Sequence, residues 1–183
     1  MLEKLTMIRI LSLRGFTLVE MMLVIAVLGI ILTIGVPSFT KMIDSARVRR
    51  AADAISAFLV NAKSEAIKQN TTVRVVFQSA SGGATWCAGM TTASTCDCIA
   101  GTCTLDGVAR VLDGASYRDI VLNNPADDGA FSFTPLRGTV NSGNAQVQSD
   151  DGLQVRVVVS PTGRIRLCSP SGSGNMEGYA VCS

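Results

Sequence analysis

The chain has 183 residues, 16 lysines and arginines against 14 aspartates and glutamates, and no histidine. The commonest general base and the commonest metal ligand are therefore missing, and no convergent acid pair lies beside a candidate nucleophile, so nothing assembles a catalytic site and no cofactor is implied. Near-neutral charge excludes a globally basic protein and leaves any polyanion binding to a local patch.

The first 15 residues carry Lys4, Arg9 and Arg14 against Glu3, a basic leader that belongs on the cytoplasmic side of a membrane. Residues 21–40 then run for 20 positions without a charge. As a helix rising about 1.5 Å per residue they reach roughly 30 Å, the thickness of a bilayer core, and everything after them lies on the far side. A secretory signal sets its small-residue cleavage site after the apolar run, whereas Gly15 precedes it here. Glu20 stands at the head of that run. A carboxylate in hydrocarbon costs about 2.5 kcal/mol or more at mid-bilayer, so Glu20 faces either a charged partner or headgroup water.

Gly15-Phe16-Thr17-Leu18-Val19-Glu20, followed at once by the apolar run, resembles the N-terminus of type IV prepilins, where Gly-Phe-Thr-Leu-x-Glu is the processing and assembly signal. The resemblance implies cutting by a prepilin peptidase between Gly15 and Phe16, methylation of the new Phe16 amine, and retention of the apolar helix. It also implies that Glu20 pairs with the free Phe16 amine of a neighbouring subunit during filament assembly. The leader is somewhat long for that family, and Met7 is an alternative start that leaves nine residues. After Gly15 the chain is neutral, with 13 charges of each sign.

Past the span, Phe39, Ile43, Ala46, Ala51, Ile55, Phe58, Leu59, Ala62 and Ala66 recur near i, i+3, i+4 and i+7, while Arg47, Arg49, Arg50, Lys63 and Lys68 lie mostly elsewhere. This pattern predicts an amphipathic helix over residues 41–70, its stripe packed on a C-terminal domain, ending at Asn70-Thr71-Thr72. Gly35 and Pro37 should interrupt the helix above the span as a kink, and in pilins such a site can also unwind when subunits pack. Ala62-Lys63-Ser64-Glu65-Ala66-Ile67, running on into Val73, Val75 and Phe77, is similar to the helix-to-first-strand signature of the FimT and GspH type minor pilins.

Downstream, Val73, Val75 and Phe77 alternate on one face and Gly82-Gly83 makes a turn. Strands are expected at residues 108–112, 119–122, 130–134, 153–159 and 164–168. Asn123-Asn124-Pro125, Asp127-Asp128-Gly129 and residues 141–144 read as loops or turns, and Ser160-Pro161-Thr162-Gly163 as the turn between the last two strands. The expected fold is α+β, type IV pilin-like: a long N-terminal helix, half membrane-spanning and half amphipathic, packed on an antiparallel β domain. Its parts are a leader (1–15), an assembly helix (16–40), an amphipathic helix (41–70) and a periplasmic domain (71–183).

Six cysteines, Cys87, Cys96, Cys98, Cys103, Cys168 and Cys182, all follow the span. In an oxidising periplasm an even count reads as disulfides. Cys168 with Cys182 would close the Gly/Ser-rich C-terminal loop, and the other four would staple residues 86–104. A zinc site from those four is the alternative, although paired Cys-x2-Cys knuckles are absent.

Gly163-Arg164-Ile165-Arg166 sits at the last hairpin turn. Two residues apart on a strand, the arginines would share a face with their guanidiniums roughly 6.5 Å apart, comparable to the phosphate repeat of one nucleic-acid strand, while Ile165 points inward. Arg156 on the neighbouring strand would join them, and the small polar residues 169–175 would let a backbone approach. The plain alternative is a pair of solvated arginines bonded to Asp150 or Asp151. A Gly-Arg-x-Arg element here resembles the DNA-binding motif of the FimT type minor pilins, which implies a pilus subunit of the inner membrane, assembled with other pilin subunits at the cell surface. Such a subunit would bind extracellular double-stranded DNA through Gly163, Arg164, Arg166 and Arg156 for uptake in natural transformation. The competing expectation is a structural minor pilin or type II secretion pseudopilin that primes assembly and binds no nucleic acid.

Overall fold

Thr17 starts the only long helix among the described residues. Its hydroxyl accepts the Glu20 amide at 3.2 Å and its carbonyl accepts the Met21 amide at 3.2 Å, so Thr17 is the N-cap and Glu20 occupies the third helical position. The positive end of the helix dipole favours a carboxylate there. The helix, α1 (Leu18–Gln69), then continues for 52 residues. The helix continues through Gly35 and Pro37, so the chain is not unwound there, although Pro37 removes one backbone donor. Asn70, at φ 50, ends it in the left-handed region. Asn70 and Thr71 donate to the carbonyls of Ile67 (3.3 Å) and Ala66 (3.2 Å), the paired bonds of a Schellman cap.

The computed structural model describes residues 15–123 and 129–182, with the side chains of residues 34–38 and 81 outside that set. The basic leader and the loops expected around Asn124-Pro125 and Asp127-Asp128 lie outside the described residues. The chain divides into two compact units, Met1–Thr40 and Lys41–Ser183. In the first, Phe16, Leu18, Met22, Leu23, Ile25, Leu28, Ile30 and Ile31 are all exposed, on every side of α1. No helix among the described residues is long and apolar enough to cross a membrane; the described side chains of the uncharged run stop at Thr33 and resume at Phe39.

In the second unit, residues 41–69 of α1 bury Val48, Ala51, Ala52, Ile55, Leu59, Ala62 and Ala66 completely. Two residues of the expected stripe fall off it, for Phe39 and Ala46 are exposed. The buried face is set by residues 51–66, and carrying it back one turn at 3.6 residues lands on Val48 rather than Ala46.

Ten strands follow among the described residues: β1 (Val73–Ala80), β2 (Thr85–Thr91), β3 (Thr104–Leu105), β4 (Val108–Ala109), β5 (Val111–Asp113), β6 (Ile120–Asn123), β7 (Ala130–Phe133), β8 (Gly143–Ser149), β9 (Gln154–Val159) and β10 (Ile165–Cys168). They form two four-stranded antiparallel sheets, ordered β5-β2-β1-β7 and β10-β9-β8-β6, with β3 and β4 as a separate hairpin. The inner faces of both sheets and the buried face of α1 share one core. Phe77 meets Phe131 edge to face at 5.9 Å, and Trp86 stacks on Tyr117 at 5.6 Å while its indole donates to the Ile120 carbonyl at 3.2 Å.

The chain departs from the sequence expectation at three strands. The strand expected over residues 108–112 is two short ones broken at Arg110. β2 was hidden because nearly every residue is buried, one face by the core and the other by the cysteine loop, so no alternation shows. The turn expected at residues 141–144 is overturned: Gly143 and Asn144 begin β8, which buries Ala145, Val147 and Ser149 on its inner face. Asn141 instead caps the free edge of β7, accepting the Ser132 amide and donating to the Ala130 carbonyl, both at 2.8 Å. Disulfides join Cys87 to Cys98, Cys96 to Cys103 and Cys168 to Cys182, leaving no thiolate among these six for a metal.

Candidate nucleic-acid interface

Residues 160–163 fold as the sequence chemistry demands. Pro161 fixes the second position of the turn, the Gly163 amide donates back to the Ser160 carbonyl at 2.8 Å, and the Ser160 amide donates to the Arg164 carbonyl at 3.0 Å. Gly163 takes φ 71, where a side chain is strained, and a methyl there would collide with the Gly138 carbonyl oxygen. The motif glycine is therefore required by the turn and by the backbone packed against it.

Arg164 immediately precedes β10 and Arg166 lies within it, two residues along the chain. Both are exposed, and Ile165 between them is half-buried against the core. Arg166 stands opposite Val158 and Arg156 opposite Cys168, which puts Arg156 and Arg166 diagonally on the outer face of the sheet. Arg156 is half-buried, and its Nε donates to the Gln146 side chain at 2.7 Å, so part of its hydrogen-bonding capacity is already used.

A cleft of about 150 Å³ beside Arg166 is lined by Val158, Leu167, Cys168, Ala180 and Val181. Its far wall is the C-terminal segment, held to Ser169 by two backbone bonds (2.9 and 3.0 Å) and by the Cys168–Cys182 bridge. Ser169 is fully buried, its hydroxyl donating to the Gln154 carbonyl and accepting the Met176 amide, so the approach surface expected over residues 169–175 begins after it.

Among the described residues, the ion pairs are Arg47 with Asp44 (3.1 Å) and Asp119 (2.8 Å), and Lys68 with Glu65 (3.3 Å). Arg156, Arg164 and Arg166 take part in none. Asp151, an expected partner for them, sits against Asp44 instead. That hydrogen bond, with partial burial and the Asp151 charge, pushes the Asp44 carboxyl above the usual carboxylate range, against the pull of Arg47.

Two residues that the sequence reading passed over as ligands belong to this region. Lys63, on α1, donates to the Gly163 carbonyl at 3.0 Å. Arg137, exposed, precedes the Gly138 whose carbonyl meets Gly163. The remaining site candidates lie in the first unit, where Gly15, Phe16 and Glu20 are all exposed on the single chain.

The family model described as type II transport protein GspH matches residues 51–163, more than half of the chain, and a prokaryotic N-terminal methylation motif matches residues 13–36. The first match includes Lys63, Gly138 and Gly163 and ends one residue before Arg164. The structure resembles the type IV minor pilin FimU of Pseudomonas aeruginosa in two crystal forms. The P21 form has 20% sequence identity, a TM-score of 0.51, and covers 73% of this chain and 98% of that one. The P65 form has 19% identity and a TM-score of 0.48, covering 68% and 98%. At that identity the likeness is one of fold. No curated protein sequence matches the chain.

Proposed function

The chain belongs to the GspH family, a minor type IV pilin or pseudopilin, and we propose that it is a pilus subunit that captures double-stranded DNA on the Arg164–Arg166 hairpin for natural transformation. Family membership implies assembly with other pilins and processing by a prepilin peptidase. In this reading the cut falls after Gly15, the Phe16 amine is methylated, and residues 16–40 anchor the subunit in the inner membrane before it enters the filament. Glu20 then meets the Phe16 amine of a neighbouring subunit, a pairing that relieves the cost of a carboxylate in hydrocarbon.

The observation that carries the DNA reading is a pair of exposed arginines outside any described ion pair, at a hydrogen-bonded turn of a chain that is neutral after Gly15. Two or three phosphate contacts give a log–log salt slope of about −2 to −3, weak and indifferent to sequence. The chain has only two tyrosines and one tryptophan, and Trp86 is buried, so base stacking contributes nothing and the duplex backbone is the ligand. Weak contact suits a filament that must catch DNA and later release it.

The test is a titration of the full chain in non-ionic detergent with duplex DNA at two salt concentrations, beside the variant Arg164→Gln/Arg166→Gln. Salt-sensitive binding that disappears in the variant supports the proposal. Equal binding by both proteins discards the arginines as the site. Absence of binding at low salt leaves a structural minor pilin or pseudopilin, a reading favoured by a family match that stops short of both arginines.

A further inference from the structure

Lys63 joins three elements that are far apart in sequence. Its ammonium donates to the Gly163 carbonyl at 3.0 Å, and its aliphatic stem lies where a methyl on Gly138 (φ 59) would come within 2.6 Å of Cε. A methyl on Gly163 would come within 3.0 Å of Nζ. Both glycines therefore lack a side chain where the lysine passes. The Val140 amide adds a direct link, donating to the Pro161 carbonyl at 3.1 Å. The loop between β7 and β8, the tip of the β9–β10 hairpin and α1 are thus locked around one side chain.

The lock has a charged rim. Arg137 is the neighbour of Gly138 and Arg164 the neighbour of Gly163, at the point where the two backbones touch. Both are exposed, and among the described residues neither they nor Lys63 form an ion pair. Backbones in contact bring the two arginines within reach of a few successive phosphates of one strand, which advance about 3.4 Å each along the helix axis.

We propose that Arg137 is a further phosphate contact of the DNA site and that Lys63 is its positioning residue, holding the Arg137 loop against the Arg164 hairpin so that both arginines engage one duplex backbone. This rests on the DNA-binding reading above, but the positioning role can be read without DNA.

The experiment uses the full chain in non-ionic detergent, random-sequence duplex DNA, and the variants Arg137→Gln, Lys63→Met and Lys63→Arg. Arg137→Gln should weaken binding several-fold and reduce the salt slope by about one, with amide exchange unchanged. Without DNA, Lys63→Met should speed exchange of the Val140 amide about tenfold, as loss of a charged hydrogen bond allows, while the β9 amides keep their protection. Lys63→Arg, which retains a donor, should restore that protection. In the Lys63→Met background, Arg137→Gln should cost less than in the wild type, an effect that loss of general stability would not produce. A wild-type slope in Arg137→Gln, with binding still dependent on Arg164 and Arg166, overturns the contact. Unchanged Val140 exchange in Lys63→Met overturns the positioning role. Failure of the wild-type chain to bind DNA overturns the reading on which the contact rests, and the exchange experiment still decides the role of Lys63.

Discussion

Residues 18–33 and residues 41–69 belong to the same helix, α1, and obey opposite rules. The first stretch carries leucine, isoleucine, valine and methionine around its whole circumference, and these large side chains are exposed on the single chain. The second has one buried face, four of whose seven fully buried residues are alanines, and its other sides are mostly polar, with Met42, Val60 and Ile67 exposed among them. A helix that is apolar all round is written for lipid or for other helices, whereas a helix with one stripe is written for its own domain. Small residues on that stripe let the sheets come close, and large ones on the first stretch would serve partners outside the chain. Burial along α1 thus separates the part that builds the subunit from the part available to assembly.

Substitution should break that contrast most strongly in the second stretch. Leu59→Ala removes a fully buried side chain and is expected to cost about 2 to 5 kcal/mol of unfolding free energy, whereas Leu28→Ala should leave thermal melting of the second unit unchanged. Equal losses would mean that both stretches serve the same core. Next in size is the C-terminal bridge. Cys168→Ser opens a loop of sequence separation 14, and denaturant unfolding without reductant should show a loss of about 3 kcal/mol relative to the wild type.

A smaller effect sharpens the account of the second unit's surface. Because the folded-state pKa of Asp44 is raised, its contribution favours folding below the ordinary carboxylate range and is lost as pH rises through the folded value. Asp151→Asn should therefore be more stable than wild type at neutral pH, with the advantage disappearing as the solution is acidified. An advantage that persists in acid would remove the carboxyl pair as its cause.

The long helix was legible because its two patterns are local: an uncharged run, then a repeat at 3.6 residues, closed by Asn70. β9 was legible because its valines alternate with outward residues. β2 was not, since a strand covered on both faces carries no alternation, and its one cysteine, Cys87, pointed to bridging instead. β8 was obscured by Asn141, Ser142, Gly143 and Asn144, residue types that usually mark turns, and the buried Gln146 is accommodated by its bond to Arg156. At the candidate site, Gly163, Arg164 and Arg166 could be read as a motif, and Arg164 lies between the turn and β10. Lys63 and Arg137 left no local signal. Their link to Gly163 arises only when α1, the β7–β8 loop and the last hairpin meet in space.

The division of α1 is tested most directly by asking where the chain goes when Glu20 is neutralised. Filaments sheared from cells carrying the wild type should contain the subunit. Cells carrying Glu20→Gln should keep it in the membrane, processed and with an unaltered melting profile of the second unit, but absent from the filaments. Equal incorporation of Glu20→Gln would contradict the account, because the carboxylate at the head of the apolar stretch would then have no part in assembly.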